Sequence, residues 1–204
     1  LAIKFVVGQL GFLPLTFVLE RLHDVTLLAN PDDHDEYVRM YTDLFLPTWA
    51  RLSEGGKKLL TTMSLFVPGA GGSIDAIRTI SELTSDALVR ALNELWRLSL
   101  LEVCEGQGGS LHDKRYCLHT LTRNFVHLAI DAAHDLTLAA ERTRATLEFI
   151  NYYLTLAATQ AGAAHTDELD NLTTPLQLIH DQRQPDLLLL GVEAICPHLI
   201  DQGR

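Results

Sequence analysis

The sequence predicts a mainly α-helical fold, in which several helices close on a two-stranded β-hairpin and are followed by a helical array. Three observations carry that expectation. Apolar residues recur at intervals of three and four over most of the chain, the spacing of a helix face. Residues 100–119 break that rhythm with two short β-type runs around a glycine-rich loop. A hydrophobic content of 47% over 204 residues is enough to fill a core, which a disordered chain cannot do.

Residues 2–10 place Ile3, Val6, Val7 and Leu10 on one face, and Gly11 and Pro14 mark the end of that helix. A second helix is expected over residues 15–22, with Phe17, Val18 and Leu22 inward. Residues 24–34, with Asn30-Pro31-Asp32-Asp33, read as an acidic loop and a first boundary. From Asp35 onward Tyr37, Tyr41, Leu44, Phe45 and Thr48 step helically, and Pro47 is expected to bend or end that helix near Leu46. Residues 1–52 are thus a helical segment.

Ser53, Ser73 and either Thr84 or Ser85 stand as N-cap residues ahead of three periodic runs. The first run carries Leu59, Leu60, Met63, Leu65 and Phe66 and stops at Pro68-Gly69-Ala70-Gly71-Gly72. The second carries Ile74, Ile77 and Ile80, and the third Leu88, Leu92, Leu95 and Trp96. Residues 100–104 and 115–119 then flank a loop containing Gly106, Gly108 and Gly109, which reads as a hairpin, and a closing helix from about Leu121 holds Phe125, Leu128 and Ala129. Helices, hairpin and closing helix in this order make a winged-helix domain over residues 53–130. Beyond it, residues 137–160 (Leu138, Leu147, Ile150, Leu154, Ala157), 167–181 (Leu169, Leu172, Leu176, Ile179) and 186–201 (Leu189, Val192, Ile195, Leu199) read as three more amphipathic helices. Their similar lengths and short links suggest the start of a helical-repeat array, TPR-like, over residues 131–204.

Charge and composition narrow the function classes. The net charge of −10 divides as −3, 0 and −7 over residues 1–52, 53–130 and 131–204, which disfavours a phosphate backbone as partner. No apolar run approaches the roughly 20 residues of a membrane span, because Lys4, Glu20, Arg21 and Glu193 interrupt the candidates. The opening residues lack the plan of a signal peptide and read as the middle of a helix, so the chain is expected to be an internal piece of a longer polypeptide. Cys104, Cys117 and Cys196 show no CxxC spacing, and their odd number is no disulfide framework, which reads as a reducing cytoplasm. Cys104 and Cys117 could face each other across the hairpin, but two small unlinked buried residues are the favoured expectation.

Three stretches together resemble a known family. The first comprises Ala2-Ile3-Lys4-Phe5-Val6-Val7-Gly8-Gln9-Leu10, Leu13-Pro14-Leu15 and Val18-Leu19-Glu20-Arg21-Leu22. The second comprises Leu52-Ser53-Glu54-Gly55, Leu65-Phe66-Val67-Pro68-Gly69, Leu92-Asn93-Glu94-Leu95-Trp96-Arg97-Leu98 and Arg115-Tyr116-Cys117-Leu118-His119-Thr120-Leu121. They resemble, in turn, the helical segment and the winged helix that follow the nucleotide-binding domain in STAND-class P-loop NTPases of the NB-ARC type. The acidic tail, with Leu169-Asp170-Asn171-Leu172, resembles the start of the helical-repeat sensor of bacterial members. In that family a Met-His-Asp motif of the winged helix touches the β-phosphate of bound ADP and holds the off state. The matching run here is Leu118-His119-Thr120, so the resemblance implies His119 as an ADP-phosphate ligand, while Thr120 stands where the family has an acid. It also implies ATP or ADP as cofactor of the longer protein and an upstream nucleotide-binding domain as the first partner. Independently of any family, an imidazole beside a helix N-terminus can donate to a phosphate oxygen.

No GxxxxGK[ST] loop occurs, so the chain itself is expected to hold no cofactor and to catalyse no hydrolysis. His112-Asp113, His119, His127 and His165 lack the spacing of metal ligands, and no GxSxG elbow supports a serine nucleophile. Two other functions compete with this expectation. A protein-interaction scaffold would use the acidic helical tail against a basic partner. A DNA reader would use residues 85–98, but the outward set Asp86, Arg90, Asn93, Glu94 and Arg97 balances two acids against two bases.

Overall fold

The structure, a computed structural model, describes residues 45–105, 114–132, 136–159 and 168–201. The helices expected over residues 2–22, the acidic loop and the hairpin glycines Gly106, Gly108 and Gly109 lie outside the described residues. What is described is mainly helical, with one small antiparallel sheet.

Residues 45–51 are helical (α1), so Pro47 does not end the helix near Leu46. Phe45, Trp49 and Leu52 are all buried, and their anchoring outweighs the helix cost of one proline. Three caps then open three helices. The Ser53 hydroxyl accepts from the Gly56 N–H at 3.0 Å ahead of α2 (Glu54–Met63). Ser73 does the same from Ala76 ahead of α3 (Ile74–Ser81), and Thr84 from Ala87 ahead of α4 (Ser85–Arg97). Between α2 and α3 lies β1 (Gly72–Ser73), a two-residue strand.

The predicted hairpin is present. Strand β2 (Glu102–Glu105) runs antiparallel to β3 (Lys114–Cys117), with Val103 opposite Tyr116. On its other side β3 pairs with β1, Gly72 against Tyr116 and Ser73 against Arg115, giving the order β1-β3-β2. Gly71 turns the chain into β1 at φ 59°, and a Cβ there would stand against the Tyr116 carbonyl, so the turn needs glycine. The chain continues through α5 (Thr120–Ala132), the long α6 (Leu136–Thr159), α7 (Leu169–Leu172), α8 (Thr174–Asp181) and α9 (Pro185–Asp201). The single helix expected over residues 167–181 is therefore two. Pro175 sits in the first turn of α8 and lacks the N–H that would have continued the ladder of α7.

One apolar core runs from Phe45 to Ile195. At one end the rings of Phe45 and Phe125 lie 4.0 Å apart, with Trp49 edge-on at 6.1 Å. At the other, Phe66 meets Phe149 of α6 at 5.2 Å, and Phe149 meets Tyr153 at 4.7 Å. Helix α6 thus buries its face against α2 and α3, and Arg144 adds a polar tie. Its guanidinium pairs with Glu141 and Glu82 and donates to the Ile80 carbonyl at 3.0 Å, a cation at the C-terminus of α3.

Several expected inward residues face outward instead. Trp96 is 63% exposed, because the buried stripe of α4 runs Leu88, Ala91, Leu95 and Trp96 lies a further 100° round. Ile74 and Leu147 are exposed for the same reason. On α9 the inward line passes through Gly191 and Ile195, leaving Leu189 and Val192 outside. Among the described residues no helix is long and apolar enough to cross a membrane.

Candidate functional site

The strand β3 alternates, so Arg115 and Cys117 project to one face and Tyr116 to the other. The face with Arg115 looks onto the turn over residues 67–72. There the buried guanidinium donates from Nε to the Ala70 carbonyl at 2.6 Å and from Nη2 to the Gly71 carbonyl at 2.8 Å. Its remaining edge makes a bidentate pair with Glu168, Nη1 to Oε1 at 2.8 Å and Nη2 to Oε2 at 3.0 Å. Glu168 stands just before α7, so the pair joins the sheet to the helical tail.

Two more tail residues complete the network. Tyr153 of α6 donates its hydroxyl to Glu168 Oε2 at 2.7 Å. Asn171 of α7 donates Nδ2 to the Gly71 carbonyl at 2.7 Å and to Glu168 Oε2 at 3.2 Å, while its Oδ1 accepts the Val67 N–H at 3.0 Å. Every partner is buried or half-buried, so each bond counts for more than it would in water.

Burial, then the charge of Glu168 and the bond to it, raise the Tyr153 pKa well above its ordinary 10.0. A raised tyrosine pKa favours the neutral, folded form. Its contribution is complete below the unfolded value near 10 and is lost as pH rises through the folded one. Denaturant unfolding followed from neutral to strongly alkaline pH is expected to show stability falling above about pH 10. Tyr153→Phe should lessen that fall while costing about 1–2 kcal/mol at neutral pH; an unaltered alkaline slope would remove Tyr153 as its source.

His119 follows β3 by two residues. Its carbonyl accepts the Arg123 N–H at 3.0 Å, so it occupies the N-cap position of α5, and its side chain is half-buried. The imidazole therefore stands where the first N–H groups of a 13-residue helix gather partial positive charge. His119 lies four residues from Arg115 along one strand-to-helix junction.

The other expected groups fall apart or change role. Cys104 and Cys117 are joined across β2 and β3 rather than unlinked, Cys104 lying opposite Arg115 and Cys117 opposite Glu102 with their Cα atoms 6.5 Å apart. Diagonal neighbours on one sheet face are near enough to bridge, and this pairing withdraws cysteine usage as an argument for a reducing compartment. His112, Asp113, His165 and Asp167 lie outside the described residues, and among the described ones no three His, Cys, Asp or Glu side chains gather as metal ligands. Asp86, Arg90, Asn93 and Arg97 are exposed on α4 as expected, and Glu94 is half-buried. Its carboxylate turns back to accept the Ser53 N–H at 2.9 Å and the Ser53 hydroxyl.

Comparison of the chain with known families, curated proteins and solved structures finds no match.

Proposed function

We propose that the chain is the regulatory portion of a nucleotide-switched signalling protein of the STAND, NB-ARC type. In this reading residues 53–130 form a winged helix and residues 131–204 begin a TPR-like helical array. The strand order β1-β3-β2 with the helices α2, α3 and α4 interleaved supports the first, and the packing of α8 and α9 on α6 supports the second. An upstream nucleotide-binding domain holds ADP, His119 donates to its phosphate, and the tail reports a signal. The chain supplies no P-loop and is no enzyme by itself. Its location in the cytoplasm is part of the same proposal and rests on the resemblance.

One observation carries this reading: His119 caps α5 at the end of the very strand whose Arg115 is locked to Glu168 of the tail. A ligand at the ring and a signal on the tail therefore act on one rigid junction, which a two-position switch requires. In the protein carrying its nucleotide-binding domain, His119→Ala is expected to speed ADP loss by about tenfold, the worth of one hydrogen bond to a charged group. Unchanged ADP retention would end the sensor role.

The scaffold reading draws support from α9, where Leu189, Leu190 and Ile200 stand exposed on a helix whose opposite side is buried through Ile195. Such a face suits a protein partner of the tail.

A further inference from the structure

We propose that copies of this chain associate through α4 of one and α9 of the next, which gives the scaffold reading above its partner and rests on that reading alone. Both helices carry an outward face that the fold leaves uncovered. On α4 it bears Val89, Arg90, Asn93, Trp96 and Arg97, opposite the buried stripe of Leu88, Ala91 and Leu95. On α9 it bears Asp186, Leu189, Leu190, Glu193 and Ile200, opposite the buried Gly191 and Ile195. Val89, Trp96, Leu189, Leu190 and Ile200 are each more than half exposed, so each face offers apolar area that pairing would take out of water.

The charges on the two faces are opposite. Arg90 and Arg97 stand on α4, Asp186 and Glu193 on α9, and none of the four has an ion-pair partner among the described residues. Their spacing also matches. The two arginines are seven residues apart and so are the two acids, which is two helical turns or about 10.5 Å in each case. Helices laid alongside each other therefore bring both cations to both anions in one register, with the apolar residues of the two faces beside them. Asp86 also faces outward, but it stands in the first turn of α4, where the helix N–H groups offset its charge.

The complement of each face is thus present on the same chain, which favours a second copy over an unrelated protein. Either two copies exchange both contacts about a two-fold axis, or successive copies add head to tail. One helix on another buries less than the roughly 1,200 Å² of a stable complex, so the association is weak and rises with concentration.

The test is sedimentation of the chain at low ionic strength, up to about 1 mM. The mean mass is expected to rise with concentration, and the emission of the exposed Trp96 to move to the blue as it leaves water. Arg90→Glu with Arg97→Glu, or Asp186→Lys with Glu193→Lys, should each weaken the association by at least about tenfold, since like charges then face each other. Mixing the two doubly substituted chains should restore it, because each reversed face meets its reversed complement; a misfolded variant could not do so. A parent chain that stays monomeric throughout overturns the proposal and leaves the scaffold reading with a different protein as partner. Association that survives reversal of the α4 charges also overturns it, as pairing of α9 with α9 would produce. So does a mixture that stays monomeric, which would separate the loss from charge complementarity.

Discussion

Glu168→Gln is expected to destabilise the fold by about 3–5 kcal/mol, and Arg115→Met by a similar amount, because each leaves an uncompensated charge or a set of unsatisfied acceptors in a buried place. The two side chains are only 8% and 11% exposed, so water cannot replace the lost partner. Desolvating an ion pair is costly, and the pair alone would be weak grounds for a large effect. Here it is embedded. Arg115 also satisfies the Ala70 and Gly71 carbonyls, and Glu168 also satisfies Tyr153 and Asn171. The double variant Arg115→Met, Glu168→Leu should therefore cost less than the sum of the two single changes yet fall short of the parent. Its carbonyls and hydroxyl lose partners even though no charge is stranded. Urea unfolding measures all three. A loss below about 1 kcal/mol in both single variants would mean that the pair is solvated and that the tail is not held through it.

The parts of this fold that were legible in the sequence are those set by neighbours in the chain. Ser53, Ser73 and Thr84 cap their helices because a side-chain oxygen and an N–H three residues later need no distant help. The hairpin of β2 and β3 was legible from two β-type runs around glycines. Strand β1 was not, since two residues are too short to show any period and only their pairing with Tyr116 and Arg115 makes them a strand. The line of α9 was displaced because Leu187, Leu188, Leu189 and Leu190 offer an apolar residue on every side. The position that decides is Gly191, whose missing side chain lets Leu176 approach closely.

The site divides in the same way. His119 was visible because a strand end followed by a helix is a local pattern. The network of Arg115, Tyr153, Glu168 and Asn171 was not, since its ion pair spans 53 residues and nothing near Glu168 marks it as buried. One signal was present: in Arg115-Tyr116-Cys117 the arginine shares its face with a cysteine of the inward side, and a cation on an inward strand position demands an acid from elsewhere.

Phe149→Ala is expected to cost about 3–5 kcal/mol, the range for emptying a fully buried aromatic site. The ring has no exposed surface and lies edge-on to Phe66 at 5.2 Å and tilted on Tyr153 at 4.7 Å, so both neighbours lose contact with it. The consequence reaches beyond packing. Phe66 immediately precedes the turn that Asn171 and Arg115 hold, and Tyr153 carries the hydroxyl that holds Glu168. A cavity at Phe149 should therefore loosen both supports of the polar network at once. In a double-mutant cycle Phe149→Ala and Asn171→Ala should couple by more than about 0.5 kcal/mol, whereas Phe149→Ala and Leu88→Ala, which lies outside the polar network, should couple less. Additivity in the first pair would mean that the aromatic layer and the polar network hold the tail independently.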